Sequence, residues 1–265
     1  MSNSYNVIYE HLFLRKSRNH NISVFISGAE QSGTTWCSLS VSHAINQEKQ
    51  KVLFVDANGN FSNASSYLPI HNDLLLEDYT KGNKTINQIL CAYKNKNFNL
   101  LIAKSGGKFL QSMQIGRINI FAEDLMSISE EYDHTIIDVD ATNVDKTLNL
   151  CQIANNIILV CSENNADIIK TFELIRKLNE AEIDANYYLI INKVNSFEDG
   201  FKVYEKLCKA SDRSSLKYPN LLGIVRFDTR VRDTIKNKEL LLTRYPTSEA
   251  ALDIKNIAKK LCLEK

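Results

Sequence analysis

The residues with the spacing to do chemistry lie at 28–35, where the chain reads Gly28-Ala29-Glu30-Gln31-Ser32-Gly33-Thr34-Thr35. Two glycines set apart in this way, followed by a hydroxyl, suit a loop whose backbone N–H groups and following helix N-terminus cradle phosphates. In the usual form, G-x-x-x-x-G-K-[ST], a lysine puts a point charge on the terminal phosphates and the next hydroxyl meets Mg²⁺. Here Thr34 stands in the lysine's place and Thr35 keeps the hydroxyl. Glu30 adds a negative charge to a loop that would face an anion. On these residues alone two readings stay open: a nucleotide fold that has lost hydrolysis, or a strand–turn–helix that never held a phosphate.

Two carboxylates extend the pattern. Val52-Leu53-Phe54-Val55-Asp56 is an apolar strand ending in an acid, at the carboxyl edge where open α/β sheets bind ligands. His134-Thr135-Ile136-Ile137-Asp138-Val139-Asp140 is another. An apolar strand ending in Asp downstream of a phosphate loop is where the carboxylate that holds Mg²⁺ belongs. Asp138 is the better candidate, and the period-two rule puts Asp140 on the same side.

Elements of regular spacing must position these groups. Apolar runs predict strands at Ile22–Ile26, 52–56, 98–103, 118–121, 134–140, 156–161, 187–191 and 221–225. Helical spacing follows the loop to about Asn46, and recurs after Phe121 to about Tyr132, at 166–178, at 196–210 and at 247–261. This alternation implies a single doubly wound, mainly parallel sheet with helices on both faces. Residues 21–265 form that one domain. Residues 1–20 form an N-terminal segment in which Val7, His11 and Leu14 fall at helical spacing, a short solvated helix or a partner-binding one.

Composition narrows the class. A 265-residue chain with 44% hydrophobic and 24% charged residues is an ordinary globular protein able to bury a sizeable core. Net charge of +1 gives no sign of a nucleic-acid partner. Six scattered cysteines without a C-x-x-C pair suit a reducing cytosol, and no run is long or apolar enough for a membrane span or signal peptide. Cytoplasmic localisation is the expectation. Arg226, Arg230, Arg232, Lys236, Lys238 and Arg244 cluster, with Asp228, Asp233 and Glu239 interspersed as on a solvated face.

Over nearly its whole length the chain resembles the MinD/ParA group of deviant-Walker ATPases, and within it the flagellar number regulators of the FlhG or FleN type. The group's loop, S-G-K-G-G-x-G-K-T, aligns with Ser27 to Thr35. Ala29 replaces the signature lysine that crosses to the partner subunit's phosphates, and Thr34 replaces the loop lysine. Asp56-Ala57-Asn58 resembles the D-A-D segment, which makes Asp56 a vestigial water-positioning carboxylate. Phe61, Asn63 and Leu68 are similar to the flagellar branch's L-A-N and leucine pattern. Tyr132 to Asp138 looks like the Mg²⁺ strand, Asn192 matches the adenine-reading asparagine, and Leu222 to Asp228 resembles L-G-x-I-P-x-D with Arg226 at the proline. Pro246 to Ala250 matches the start of the last helix, and Tyr9 to Arg15 is faintly similar to a motif acting on a partner GTPase.

The resemblance implies nucleotide contacts at Gly28, Gly33, Thr34, Thr35, Asn192 and Asp228, with Thr35 and Asp138 on Mg²⁺ if nucleotide binds. It implies no cofactor, or weak ATP or ADP with Mg²⁺. The expected function is that of a degenerate regulator without ATP hydrolysis, working through a protein partner: a flagellar GTPase, a switch component or a transcription regulator. It would be a monomer or a nucleotide-independent dimer. The family's membrane-targeting helix lies beyond the last core helix, and the sequence stops at Lys265, so no stable membrane association is expected. Two alternatives stand beside this reading. One is a slow ATPase in which Lys104 or Lys108 replaces the missing lysines; the other is a DNA-associated partition protein using the basic cluster.

Overall fold

The computed structural model describes residues 21–58, 64–70, 74–104, 106, 109–139, 144–213 and 216–263. The expected N-terminal helix, the 9–15 motif, Phe61, Asn63, Lys108 and Asp140 lie outside them.

Apolar, β-branched runs become strands β1 (Ile22–Ile26), β2 (Val52–Asp56), β3 (Cys91–Ala92), β4 (Phe98–Ile102), β5 (His134–Asp138), β6 (Asn156–Ser162), β7 (Asn186–Val194) and β8 (Asn220–Arg226). Among the described residues they form one sheet in the order β3-β4-β2-β5-β1-β6-β7-β8. Every neighbouring pair is parallel except β3–β4. The short antiparallel β3 has no counterpart in the sequence reading, since two residues carry no periodicity.

Helices α1 (Thr34–Gln47), α2 (Leu76–Thr80), α3 (Phe109–Ser112), α4 (Ile115–Ser129), α5 (Val144–Cys151), α6 (Asn165–Glu180), α7 (Phe197–Arg213), α8 (Thr229–Asn237), α9 (Leu241–Arg244) and α10 (Glu249–Leu263) fill the connections. One expected strand is wrong. Residues 118–121 belong to α4, where Ile118, Phe121, Ala122 and Leu125 are buried and Ile120 is exposed. Four residues of the apolar run fit a strand, but the burial pattern over fifteen fits a helix. α4 ends at Ser129, short of Tyr132.

Period-two alternation divides the core. Ile22, Val24 and Ile26 of β1 join Leu53, Val55 and Ile137 on one face, while Phe25 joins Val52, Phe54, Ile136, Tyr188 and Ile190 on the other. The second face is covered by α1, against which α10 packs. α1 is buried from Thr34 to Asn46, so its serines need internal partners. Ser38 donates to Thr35 O at 3.0 Å and Ser42 to Ser38 O at 2.7 Å. By the same alternation, Asp56 and Asp138 end their strands on the α1 face, and Asn192 lies on that face two residues before β7 ends.

Candidate functional site

The loop after β1 enters α1 through Gly33, whose φ of 91° is left-handed and suits glycine. Gly33 has no side chain with which to cap α1, so the N–H groups of its first turn are left to other groups. Gly28 answers a different need. A Cβ there would lie 2.4 Å from the Lys170 carbonyl and 2.6 Å from Thr171 N, so the loop can lie against α6 only without a side chain. Ala29 O accepts from Ser27 Oγ and from Ser32 Oγ, each at 2.9 Å, which folds the loop on itself. Thr34, in the lysine's position, is buried, while Glu30 and Gln31 are exposed.

Thr35 and Asp138 meet at the centre. Thr35 Oγ1 donates to Asp138 Oδ2 at 2.6 Å and accepts from Asn58 Nδ2 at 3.1 Å. Parallel pairing of β2 with β5 sets Asp56 beside Asp138 in register. Both acids are fully buried. Asp56 Oδ1 accepts from Asn58 N at 3.1 Å and Oδ2 from Ala64 N at 2.6 Å. Burial, and then the adjacent Asp138, hold the Asp56 carboxyl well above the usual carboxylate range, against the pull of those two N–H groups. A hydroxyl and a carboxylate are hard oxygen donors and suit Mg²⁺. The donor set therefore fits a magnesium-bound phosphate, with Thr35 and Asp138 as the residues that would hold the ion. The cationic part of the cradle is absent from the loop itself.

β7 reaches the loop from the far side. Asn192 Nδ2 donates to Ser32 O at 2.8 Å, and Lys193 Nζ donates to Gln31 O at 2.6 Å. Thus Gly28, Gly33, Thr34, Thr35, Asp56, Asp138 and Asn192 line one region around the loop. Asp228 instead caps α8, its Oδ1 accepting from Arg230 N at 2.9 Å. Lys104 shows its backbone N–H bound to the Glu77 carboxylate at 3.0 Å. Sequence reasoning missed Lys193 and the Asn58 side chain as site residues. The available signal for Lys193 was a cation directly after the strand-end asparagine.

Two members of the basic cluster, Arg226 and Arg244, are paired with acids within the fold. Arg226 pairs with Asp253 at 3.0 Å and with Glu249 at 2.6 Å, and Arg244 pairs with Asp233 at 2.9 Å and Glu239 at 2.8 Å.

A model of the AAA_31 family, described as an AAA domain, matches residues 26–191. The chain belongs to the AAA_31 family. This AAA_31 chain is 24% identical over 233 residues to the antiactivator FleN of Pseudomonas aeruginosa, covering 86% of this chain and 81% of FleN. It is similar to the cell division ATPase MinD of Pyrococcus furiosus, with a TM-score of 0.76 and 17% identity over 91% of this chain and 98% of MinD. It is also similar to the septum site-determining protein MinD of Pyrococcus horikoshii in complex with Mg-ADP, with a TM-score of 0.74 and 19% identity over 92% and 96% of the two chains. The AAA_31 chain is thus of the MinD/ParA type, close to FlhG/FleN, with the α/β P-loop NTPase fold. No helix among the described residues is long and apolar enough to cross a membrane.

Proposed function

We propose that this protein is a MinD-like regulator that acts by binding a protein partner and does not hydrolyse ATP. One observation carries the reading: the site's water-positioning carboxylate is committed to the backbone. Both oxygens of Asp56 accept backbone N–H bonds, from Asn58 and Ala64. Its raised pKa further weakens it as an anion that could orient water. Ala29 and Thr34 stand where the family's two phosphate-facing lysines would be. A single cationic finger contributes about 10³–10⁵ in phosphoryl-transfer rate, so losing two such charges removes most of the transition-state stabilisation.

The partner is a protein because FleN, to which the chain is similar, is an antiactivator. By that likeness it is a transcription regulator, or a GTPase or switch component of flagellar assembly. Nucleotide, where bound, is ATP or ADP with Mg²⁺ held weakly at Thr35 and Asp138, and it supports the shape of the site without being consumed. The expected result is phosphate release from ATP at the level of a protein-free blank, with unchanged mass in light scattering when ATP and Mg²⁺ are added. Turnover that disappears in Asp56→Ala protein would overturn the reading in favour of a slow ATPase.

A further inference from the structure

We propose that Asn192 and Lys193 clamp the phosphate loop from β7, and that Lys193 is a positioning residue supplying the cation the loop sequence lacks. The inference rests on reading the loop as a phosphate cradle, as above, but not on the absence of hydrolysis.

The two bonds fall on consecutive loop carbonyls. Lys193 Nζ takes Gln31 O at 2.6 Å and Asn192 Nδ2 takes Ser32 O at 2.8 Å. In a trans peptide the carbonyl of one residue and the N–H of the next point in opposite directions. Drawing the Gln31 and Ser32 carbonyls toward β7 therefore turns the Ser32 and Gly33 N–H groups to the other side of the loop. The backbone carries the matching alternation of hand: φ is 63° at Gln31 and 91° at Gly33, while Ser32 between them has no positive φ. Alternating hands make successive N–H groups converge on one point, the geometry that receives an anion.

Lys193 is itself built for the task. It has a left-handed φ of 62°, uncommon for a residue with a side chain, and it sits where the β7–β8 register shifts between Asn192 and Val194. Such an irregularity re-aims a side chain at the end of a strand. A Cβ on Gly33 would meet Asn192 Nδ2 at 2.3 Å and Lys193 Cε at 3.4 Å, so the glycine also admits the clamp. The ammonium sits on the carbonyl side of the loop, bonded to Gln31 O, so its charge acts on an anion at the opposite N–H face through its field and not by a direct bond. Its field reaches through the loop: the Cys37 thiol in the first turn of α1, pushed up by burial, is held back by Lys193.

The test uses the full chain without nucleotide. Backbone amide exchange at residues 31–34 is expected to quicken about tenfold in Lys193→Met, with β6 and β8 unchanged, and to stay near wild type in Lys193→Arg. Trp36, the single tryptophan and 8% exposed, is expected to become more open to acrylamide quenching in the Met variant. Pyrophosphate, as the anion probe, is expected to slow exchange at 31–34 in the wild type and in Lys193→Arg but not in Lys193→Met. Unchanged exchange in the Met variant, or faster exchange throughout the sheet, overturns the clamp. A pyrophosphate response that is absent from the wild type, or equal in wild type and Met variant, overturns the cation role. ATP turnover by the wild type would sink the proposed function while leaving these readings untouched.

Discussion

Thr35 Oγ1 donates to Asp138 Oδ2 at 2.6 Å across 103 residues of sequence, in a buried site. The hydroxyl comes from the first turn of α1 and the acid from the end of β5. Asn58 completes the relay by donating to the same hydroxyl at 3.1 Å. Replacing Thr35 by Val keeps the shape and removes both bonds, leaving buried polar groups short of a partner. The expected cost is about 1–3 kcal/mol, against much less for Thr35→Ser. Urea midpoints for the two variants check it, and equal midpoints would show that the relay contributes nothing to stability.

Asp56 gives a pH signature. Its folded pKa lies above the unfolded value of about 3.9, so in the window just above that value the native state binds more protons than the unfolded one. Its contribution to stability therefore falls as pH rises from about 4 toward the folded pKa, by at most about 1.4 kcal/mol per pH unit. Asp56→Asn removes this dependence. Chemical denaturation of both proteins from pH 4 to 7 should show the wild type losing ground to the variant as pH rises, while parallel curves would contradict the raised pKa.

Restoring the loop cation tests whether the cradle still accepts phosphate. A lysine in place of Thr34 would carry its ammonium to the terminal phosphates, and a charge-assisted hydrogen bond contributes about 1.5–3 kcal/mol. Thr34→Lys should strengthen ATP binding by about 10- to 100-fold, from a wild-type Kd of about 0.1 mM or weaker. Ser32→Lys should not, because Ser32 is 1% exposed and its hydroxyl holds Ala29 O within the loop. Calorimetry on the two variants decides, and null heats in both would make the loop purely structural.

Arg226 replaces a backbone restraint with an ion pair. Its guanidinium meets Asp253, whose side chain is 2% exposed, and stacks over Phe197 at 4.6 Å. Arg226→Ala leaves that acid without its cation, a change that costs about 3–5 kcal/mol when a fully buried pair is broken. With the Arg226 side chain 21% exposed, water offsets part of this, and a loss of about 2–3 kcal/mol is expected. Thermal unfolding measures it. Arg226→Ala combined with Asp253→Leu should recover most of the loss, and failure to recover would assign the cost to packing on Phe197.

Local pattern determined a good deal of this protein. β1 and β2 lie where their apolar runs end, Thr35 follows the second loop glycine, and the acids at 56 and 138 close their strands on one face because side chains alternate. Those features depend on neighbours within a few residues, which a sequence displays. The short run at 118–121 was misleading for the same reason: three apolar residues in four fit either period, and packing against α5 selects the helix. Only tertiary structure brought Asn192 and Lys193 onto the carbonyls of residues 32 and 31, 160 and 162 positions away. Such pairings are set by which strand lies beside which and by where each connection turns, and no local spacing encodes them.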